Sequence, residues 1–322
     1  MTTSPYLAVL ALAGTAAAVA VVVSAMHAAQ PAAAPQPAAA AAERAAQPQP
    51  PQEEFVDPAA MAKRFNVELG RMAATKETTP PRQLIEQLQS RRFHAVETLA
   101  DPGRNQDAPT IYRSARRGVV VVGAVTGGRG RRPPQGSFAS GFVIHKDGLI
   151  VTNAHVVEAF AHMNGMGVMT HDQRVFPVKA VLAADRHNDV AVLKVAADDL
   201  VPLPVARTVP VGATVYCLSH PALTSEGDEN AFFAFTRGAV SGRFRIDLRR
   251  EGLVDVLAIT SDYGQGSSGG PILNENGAVV GIVCETVSLS SDVQSCDTQM
   301  TWKFARPSSS LLALVSGQPP TK

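Results

Sequence analysis

The first 42 residues contain no Asp, Glu, Lys or Arg, a conspicuous gap in a 322-residue chain whose formal net charge is only +1. That overall balance argues against a protein built mainly to coat nucleic acid or anionic membrane, which needs a strong basic excess. Aromatic residues are also scarce, with one Trp and four Tyr. The one concentrated basic stretch, "GGRGRRPPQG" (127–136), has no aromatics interleaved with its arginines, so it reads as a solvated hairpin loop and no nucleic-acid partner is expected. The histidines lack paired ligand spacing such as H-E-x-x-H, and neither a metal nor another cofactor is expected.

Within the charge-free region, "YLAVLALAGTAAAVAVVVSAM" (Tyr6–Met26) is almost wholly apolar over 21 residues, about the ~20 that a helix needs to cross a bilayer. Two readings of 1–27 compete, a retained single-span anchor and a cleaved secretory signal. The length favours the anchor, while the small residues of "VSA" (Val23–Ala25) suit cleavage. Either way, the expectation is an exported protein, membrane-anchored through residues 6–26 or released to the periplasm or exterior. Residues 28–57 form a Pro/Ala-rich linker, since proline prevents helix propagation and favours extended, solvated backbone.

Residues 58–106 carry helical signals. "PPRQLIEQLQSRRFHAVETLA" opens on prolines and spaces Leu84, Leu88, Phe93 and Val96 close to one helical stripe. This extension could dock a partner or support a homo-oligomer. From about 107 to 316 the texture is all-β: "GVVVVGAV", "GFVIHKDGLIVTN", "VAVLKV", "GATVYCLS", "DVLAITS" and "AVVGIVC" are short runs punctuated by turn residues. Asp147-Gly148 between apolar residues is a hairpin signal. Many short strands without alternating helices point to a barrel or sandwich pair and disfavour parallel α/β.

The chemistry centres on "SDYGQGSSGGP" (261–271). A serine hydroxyl needs a base to take its proton and backbone N–H donors aimed at the oxyanion. Glycines around it permit a tight turn and close substrate approach. Ser268 is the candidate. The same letters fit the G-x-S-x-G elbow, but that fold places histidine after serine, and the last histidine here is His220. The order His, Asp, Ser is satisfied upstream: "IVTNAHVV" offers His155 after an apolar run, and "HNDVAVLKV" offers Asp189 before another.

With these motifs in order, "GFVIHKDGLIVTNAHVV", "DVAVLKV", "TRGAVSGRF", "GSSGGPILNENGAVVGIV" and the closing "TWKFARPSSSLLALV" resemble trypsin-like serine proteases, nearest to the HtrA/Deg branch, over roughly 108–316. The resemblance implies two six-stranded antiparallel β-barrels with a cleft between them. It implies Ser268 as nucleophile, His155 as general base and then acid, Asp189 as the group orienting His155, and the N–H groups of Gly266 and Ser268 as the oxyanion hole. It also implies protein or peptide substrates in the envelope and a trimeric homo-oligomer as one option. The rival is a catalytically silent binding or scaffold protein on the same fold.

Three departures from the family set further expectations. Only a 317–322 tail follows the domain, so no peptide-binding PDZ domain is expected. Ser267 stands where digestive enzymes carry the aspartate that pairs with a newly cut amino terminus, so activity should not require such processing. Asp262 falls six residues before Ser268, the offset of the basic-specificity aspartate, though a structural role in the segment before the serine is the favoured reading. If the pocket role holds, "RGRR" (Arg129–Arg132) becomes a candidate self-cleavage site. Of the three cysteines, Cys284 and Cys296 flank a polar loop and could close a disulfide, whereas Cys217 in "TVYCLSH" reads as a small buried hydrophobe.

Overall fold

A computed structural model describes residues 55–90, 94–127, 134–224, 229–247, 252–290 and 298–316. The apolar stretch Tyr6–Met26, Phe93, Arg129–Arg132, Cys296 and the tail lie outside those residues. Among the described residues, no helix is long and apolar enough to cross a membrane.

The short β-rich runs become twelve strands in two closed antiparallel barrels, each of six. The first contains β1 (Val119–Val125), β2 (Gly136–His145), β3 (Leu149–Thr152), β4 (Gly165–Met169), β5 (Val175–Asp185) and β6 (Val190–Val195), ordered β1-β2-β3-β6-β5-β4. The second contains β7 (Thr214–Ser219), β8 (Ala234–Ile246), β9 (Val254–Ile259), β10 (Pro271–Leu273), β11 (Val279–Ser290) and β12 (Thr298–Pro307), ordered β10-β11-β12-β9-β8-β7. Closure leaves no free sheet edge and resolves the barrel-or-sandwich alternative. Strand β1, "VVVVGAV", is buried along its whole length, which is why its sequence lacks the alternation of a half-exposed strand. The Asp147-Gly148 hairpin forms between β2 and β3. Gly148 has φ +79, and a Cβ there would lie 2.5 Å from the Val195 carbonyl oxygen, so the turn needs glycine.

The amino-terminal extension supplies two helices that pack on the first barrel. Helix α1 (Pro58–Ala74) is capped by Asp57, whose Oδ1 accepts from Ala60 N–H at 2.9 Å, with proline at the first helical position. Met61, Phe65 and Leu69 recur every four residues and form its buried face. That face sits over Gly123 of β1 and Gly167 of β4, which are paired in register. A Cβ on Gly123 would meet the Phe65 ring at 2.8 Å, and one on Gly167 would meet Leu69 at 2.7 Å. The two glycines therefore make the groove that α1 fills. Helix α2 (Pro81–Gln89) buries Leu84 and Leu88 in the hydrophobic cluster that holds Val178 and Val181 of the same barrel. The buried faces of both helices are thus used within the chain.

The helical stripe read through Val96 is shorter than expected. Helix α2 stops at Gln89, and His94 and Val96 run extended, donating their N–H groups to the carbonyls of Leu314 and Val315 at 3.4 and 2.9 Å. These are carbonyls at the end of helix α5 (Ser308–Val315), which have no intrahelical donor. Satisfying them outweighs continuing α2. Helix α3 (Ala108–Ala115), capped by Asp107, leads into β1.

Leu84 is fully buried, so Leu84→Ala should cost about 3 kcal/mol. Urea unfolding of the full chain checks this, and a loss below about 1 kcal/mol would mean that α2 is not integral to the barrel.

Candidate active site

Asp189 sits in the turn before β6, and its backbone has φ +55, a region that Asp tolerates better than most residues. The Asn153 side-chain amide donates to its carbonyl at 2.8 Å and helps fix the turn. The carboxylate is buried, 4% exposed. Its Oδ1 accepts from the His155 backbone N–H at 2.9 Å, and its Oδ2 pairs with His155 Nδ1 at 2.7 Å. Oδ2 also receives the thiol of Cys284 from β11 at 3.3 Å. Burial alone would push the Asp189 carboxyl up, but the bonds from the His155 ring, the His155 N–H and the Cys284 thiol together hold it below the usual carboxylate range. A carboxylate facing Nδ1 favours the tautomer with its proton there, leaving the Nε2 lone pair available. His155 lies in the short helix α4 (Ala154–Ala159) that follows β3.

Ser268 lies on the turn entering β10, between Gly266 at φ +88 and Gly269 at φ +85. A Cβ on Gly269 would meet the Ser140 carbonyl and Thr152 Oγ1 at 2.3 Å. The chain here passes too close to the first barrel for any side chain. Ser140 of β2 clamps this turn twice, its Oγ donating to the Gly266 carbonyl and its N–H to the Ser268 carbonyl, both at 2.9 Å. Among the described residues no hydrogen bond joins Ser268 Oγ to His155, and such bonds commonly tighten only once substrate is bound.

The peptide between Gln265 and Gly266 has a defined orientation, because the Gln265 carbonyl accepts from Ala222 N–H at 2.7 Å. In a trans peptide the N–H points opposite to the carbonyl, so the Gly266 N–H faces away from Ala222. Among the described residues, neither the Gly266 nor the Ser268 N–H is bonded to a carbonyl. Ser267 is fully buried, receives the Ser219 hydroxyl at 3.0 Å and carries no charge that would need a cationic partner.

Asp262 is not at the floor of a closed pocket. Its side chain is 83% exposed and ion-paired at 2.7 Å with Lys303, which is 17% exposed. Cys217 is buried on β7 as the sequence suggested, its thiol pushed up to about 12 by burial. Cys296, the proposed partner of Cys284, lies outside the described residues. Among the described residues, no group of acidic, histidine and cysteine side chains could hold a metal ion. Sequence reasoning gave no role to Ser140, Ala222, Asn153 or Lys303 and did not pair Cys284 with Asp189, because each acts on a partner distant in the chain that no local pattern marks.

Residues 139–282 match the model of the trypsin-like peptidase domain, a span containing His155, Asp189 and Ser268. The chain is 38% identical over 156 residues to a probable periplasmic serine endoprotease DegP-like of Hahella chejuensis, covering 47% of this chain and 31% of that one. It is 35% identical over 156 residues to Protease Do-like 1, chloroplastic, of Arabidopsis thaliana, covering 46% and 33%. The chain therefore spans about a third of the length of these curated relatives. A solved HtrA-type protease with a tripeptide shares the fold, with a TM-score of 0.51 at 19% identity over 65% of this chain and 64% of that one. Taken with the two barrels and the turn between Gly266 and Gly269, these likenesses show that the chain contains a trypsin-like peptidase domain and is related to the HtrA/DegP-like serine proteases.

Proposed function

We propose that the chain is a serine endopeptidase acting on polypeptides outside the cytoplasm. The observation that carries this reading is the buried Asp189 carboxylate holding both the ring and the backbone N–H of His155. Ser268 stands on a turn that Ser140 ties to the same barrel. His155 Nε2 takes the Ser268 Oγ proton as Oγ attacks the scissile carbonyl, and Asp189 stabilises the imidazolium that forms. The developing oxyanion is received by the N–H groups of Gly266 and Ser268. His155 then protonates the leaving amine, and water repeats the sequence to release the acyl group. The periplasmic naming of the relatives, together with the apolar stretch at 6–26, supports an exported protein anchored at or delivered to the envelope.

The test is labelling of the full-length chain with a fluorophosphonate, which reacts only with an activated serine. Wild type should label and Ser268→Ala should not. A folded wild type that fails to label would favour the silent scaffold instead.

The Ala222 bond gives a second prediction. Ala222→Pro deletes the N–H that orients the Gln265 carbonyl, and the freed peptide can rotate the Gly266 N–H out of the hole. Labelling should slow by ~10²–10³-fold, with Ala222→Gly, which keeps the donor, close to wild type. Equal labelling rates for both variants would show that the bond does not set the hole.

A further inference from the structure

Beneath the turn that carries Ser268 runs a row of buried polar side chains that solubility does not explain. Ser219, the last residue of β7, is buried and donates its hydroxyl to Oγ of the fully buried Ser267 at 3.0 Å. The Cys217 thiol, two residues earlier on the same strand, donates to Ser219 Oγ at 3.5 Å. Ser267 Oγ also accepts the Gly264 N–H at 3.3 Å, while the Ser267 N–H donates to the Gly264 carbonyl at 3.0 Å. These two bonds close the turn 264–267 from both ends. The Ser267 carbonyl accepts the Gly270 N–H at 2.9 Å, and in a trans peptide the Ser268 N–H then points the opposite way. Strand β7 lies directly against this segment, since a Cβ on Gly270 would come within 3.0 Å of Ser219 Cβ.

The Gln265–Gly266 peptide lies inside the turn that Ser267 closes, and the Ser267–Ser268 peptide begins at Ser267 itself. Both N–H groups proposed to receive the oxyanion are therefore set by where Ser267 sits. The chain on either side offers little stiffness of its own, with Gly266 at φ +88 and Gly269 at φ +85, because glycine has the most conformational freedom to lose. Stability alone does not call for the hydroxyl pair, since two bonded partners exchanged for apolar groups of the same shape can leave it nearly unchanged. What the pair supplies is a fixed place for Ser267, reached from 48 positions away in the chain.

We propose that Ser219 is a positioning residue for acyl transfer. Its hydroxyl holds Ser267, and through Ser267 it holds the N–H groups of Gly266 and Ser268 where the oxyanion forms. The proposal deepens the peptidase reading and rests on it for its rate readout, and a spectroscopic readout keeps the two separable.

The full-length wild type, Ser219→Ala, Ser267→Ala and the double variant would be labelled with a fluorophosphonate over a range of concentrations. The maximal labelling rate should fall by ~10–100-fold in each single variant, the size expected of a displacement near 1 Å. The half-saturating concentration should stay unchanged, and the double variant should be no slower than Ser267→Ala, because the two hydroxyls act as a unit. Ser219→Ala decides the matter if Ser267→Ala does not fold. In parallel, selective ¹⁵N-glycine labelling should show the Gly264 and Gly266 amide signals shifted or broadened in Ser219→Ala, with those of Gly123 and Gly148 in the first barrel unmoved. That signal requires no catalysis.

An unchanged maximal labelling rate in folded Ser219→Ala, or a loss carried by the half-saturating concentration instead, would overturn the proposal. If the wild type does not label at all, the peptidase reading sinks and the amide signals decide. Movement at Gly264 and Gly266 would then uphold Ser219 as the residue that sets the turn, and unmoved signals would overturn it.

Discussion

Ser268→Ala is expected to lower peptidase turnover by ~10⁶-fold without measurable loss of stability. The first half of that expectation follows from chemistry, since alanine has no atom to form the acyl bond. The second follows from the structure. Among the described residues Ser268 Oγ makes no hydrogen bond, and the turn is held by backbone, through Ser140 on the Gly266 and Ser268 carbonyls and through Gly269 N–H on the Val283 carbonyl at 3.0 Å. His155→Ala should cost about as much as Ser268→Ala, and the double variant should be no worse than either, because nucleophile and base act as one unit. Asp189→Asn should cost ~10⁴-fold, since an amide facing Nδ1 favours the wrong tautomer. Turnover of an unfolded protein substrate, with thermal unfolding alongside, checks all three. If Ser268→Ala kept more than about a tenth of wild-type turnover, where full loss is ~10⁶-fold, another group would have to be the nucleophile.

Between neutral pH and pH 5 the protein should lose about 2 kcal/mol of stability through His220 alone. His220 is fully buried, packed edge-on to Phe233 at 4.7 Å and near Phe232 at 5.8 Å, and its Nδ1 accepts the Phe233 N–H at 3.0 Å. The ring is therefore held neutral, and burial lowers its pKa from the ordinary 6.5 to about 3. The unfolded chain takes up a proton near 6.5 and the folded chain only near 3. The stability this group contributes is thus whole above the higher value and is lost as pH falls between the two, by about 1.4 kcal/mol per pH unit. Asp189, held below the usual carboxylate range, contributes in the same direction but only at lower pH, as the solution falls through its folded value.

The comparison that isolates His220 is urea unfolding at pH 7.5 and 5.0 for wild type and His220→Gln, whose side-chain carbonyl can still accept the Phe233 N–H. The variant should start less stable and change less with pH. Equal slopes for the two proteins would remove His220 as the acid-sensitive group. The site has a stake in the result, because the His220 N–H donates to Ser140 Oγ at 3.0 Å and its carbonyl accepts from Asn230 at 2.9 Å. Acid opening at His220 would therefore also loosen the clamp on the Gly266–Ser268 turn.

Much of the chain was legible because its signals are local. A β-branched run such as "VVVVGAV" favours strand wherever it is placed, Asp-Gly between apolar residues favours a hairpin, and proline behind Asp57 starts a helix. The order His155, Asp189, Ser268 and the glycines flanking the serine can likewise be read along one dimension. The misjudged element is instructive. Nothing within residues 81–96 ends the helical pattern at Gln89, and the competing interaction comes from the carbonyls of Leu314 and Val315 more than 200 residues away.

The sequence by itself determined the strand-rich texture, the tight turn carrying Ser268, and the order of the three residues that point to acyl transfer. The resemblance carried by the ordered motifs already implied the two six-stranded barrels that the structure shows, and only the tertiary structure decided that α1 and α2 spend their apolar faces on the first of them and which further residues serve the site. Ser140 meets the Gly266 carbonyl across 126 positions of chain, and Cys284 meets Asp189 across 95. Lys303 cancels the charge that made Asp262 look like a trap for basic side chains. Such pairings follow from barrel closure and strand register, and neither is encoded in the spacing of the residues they bring together.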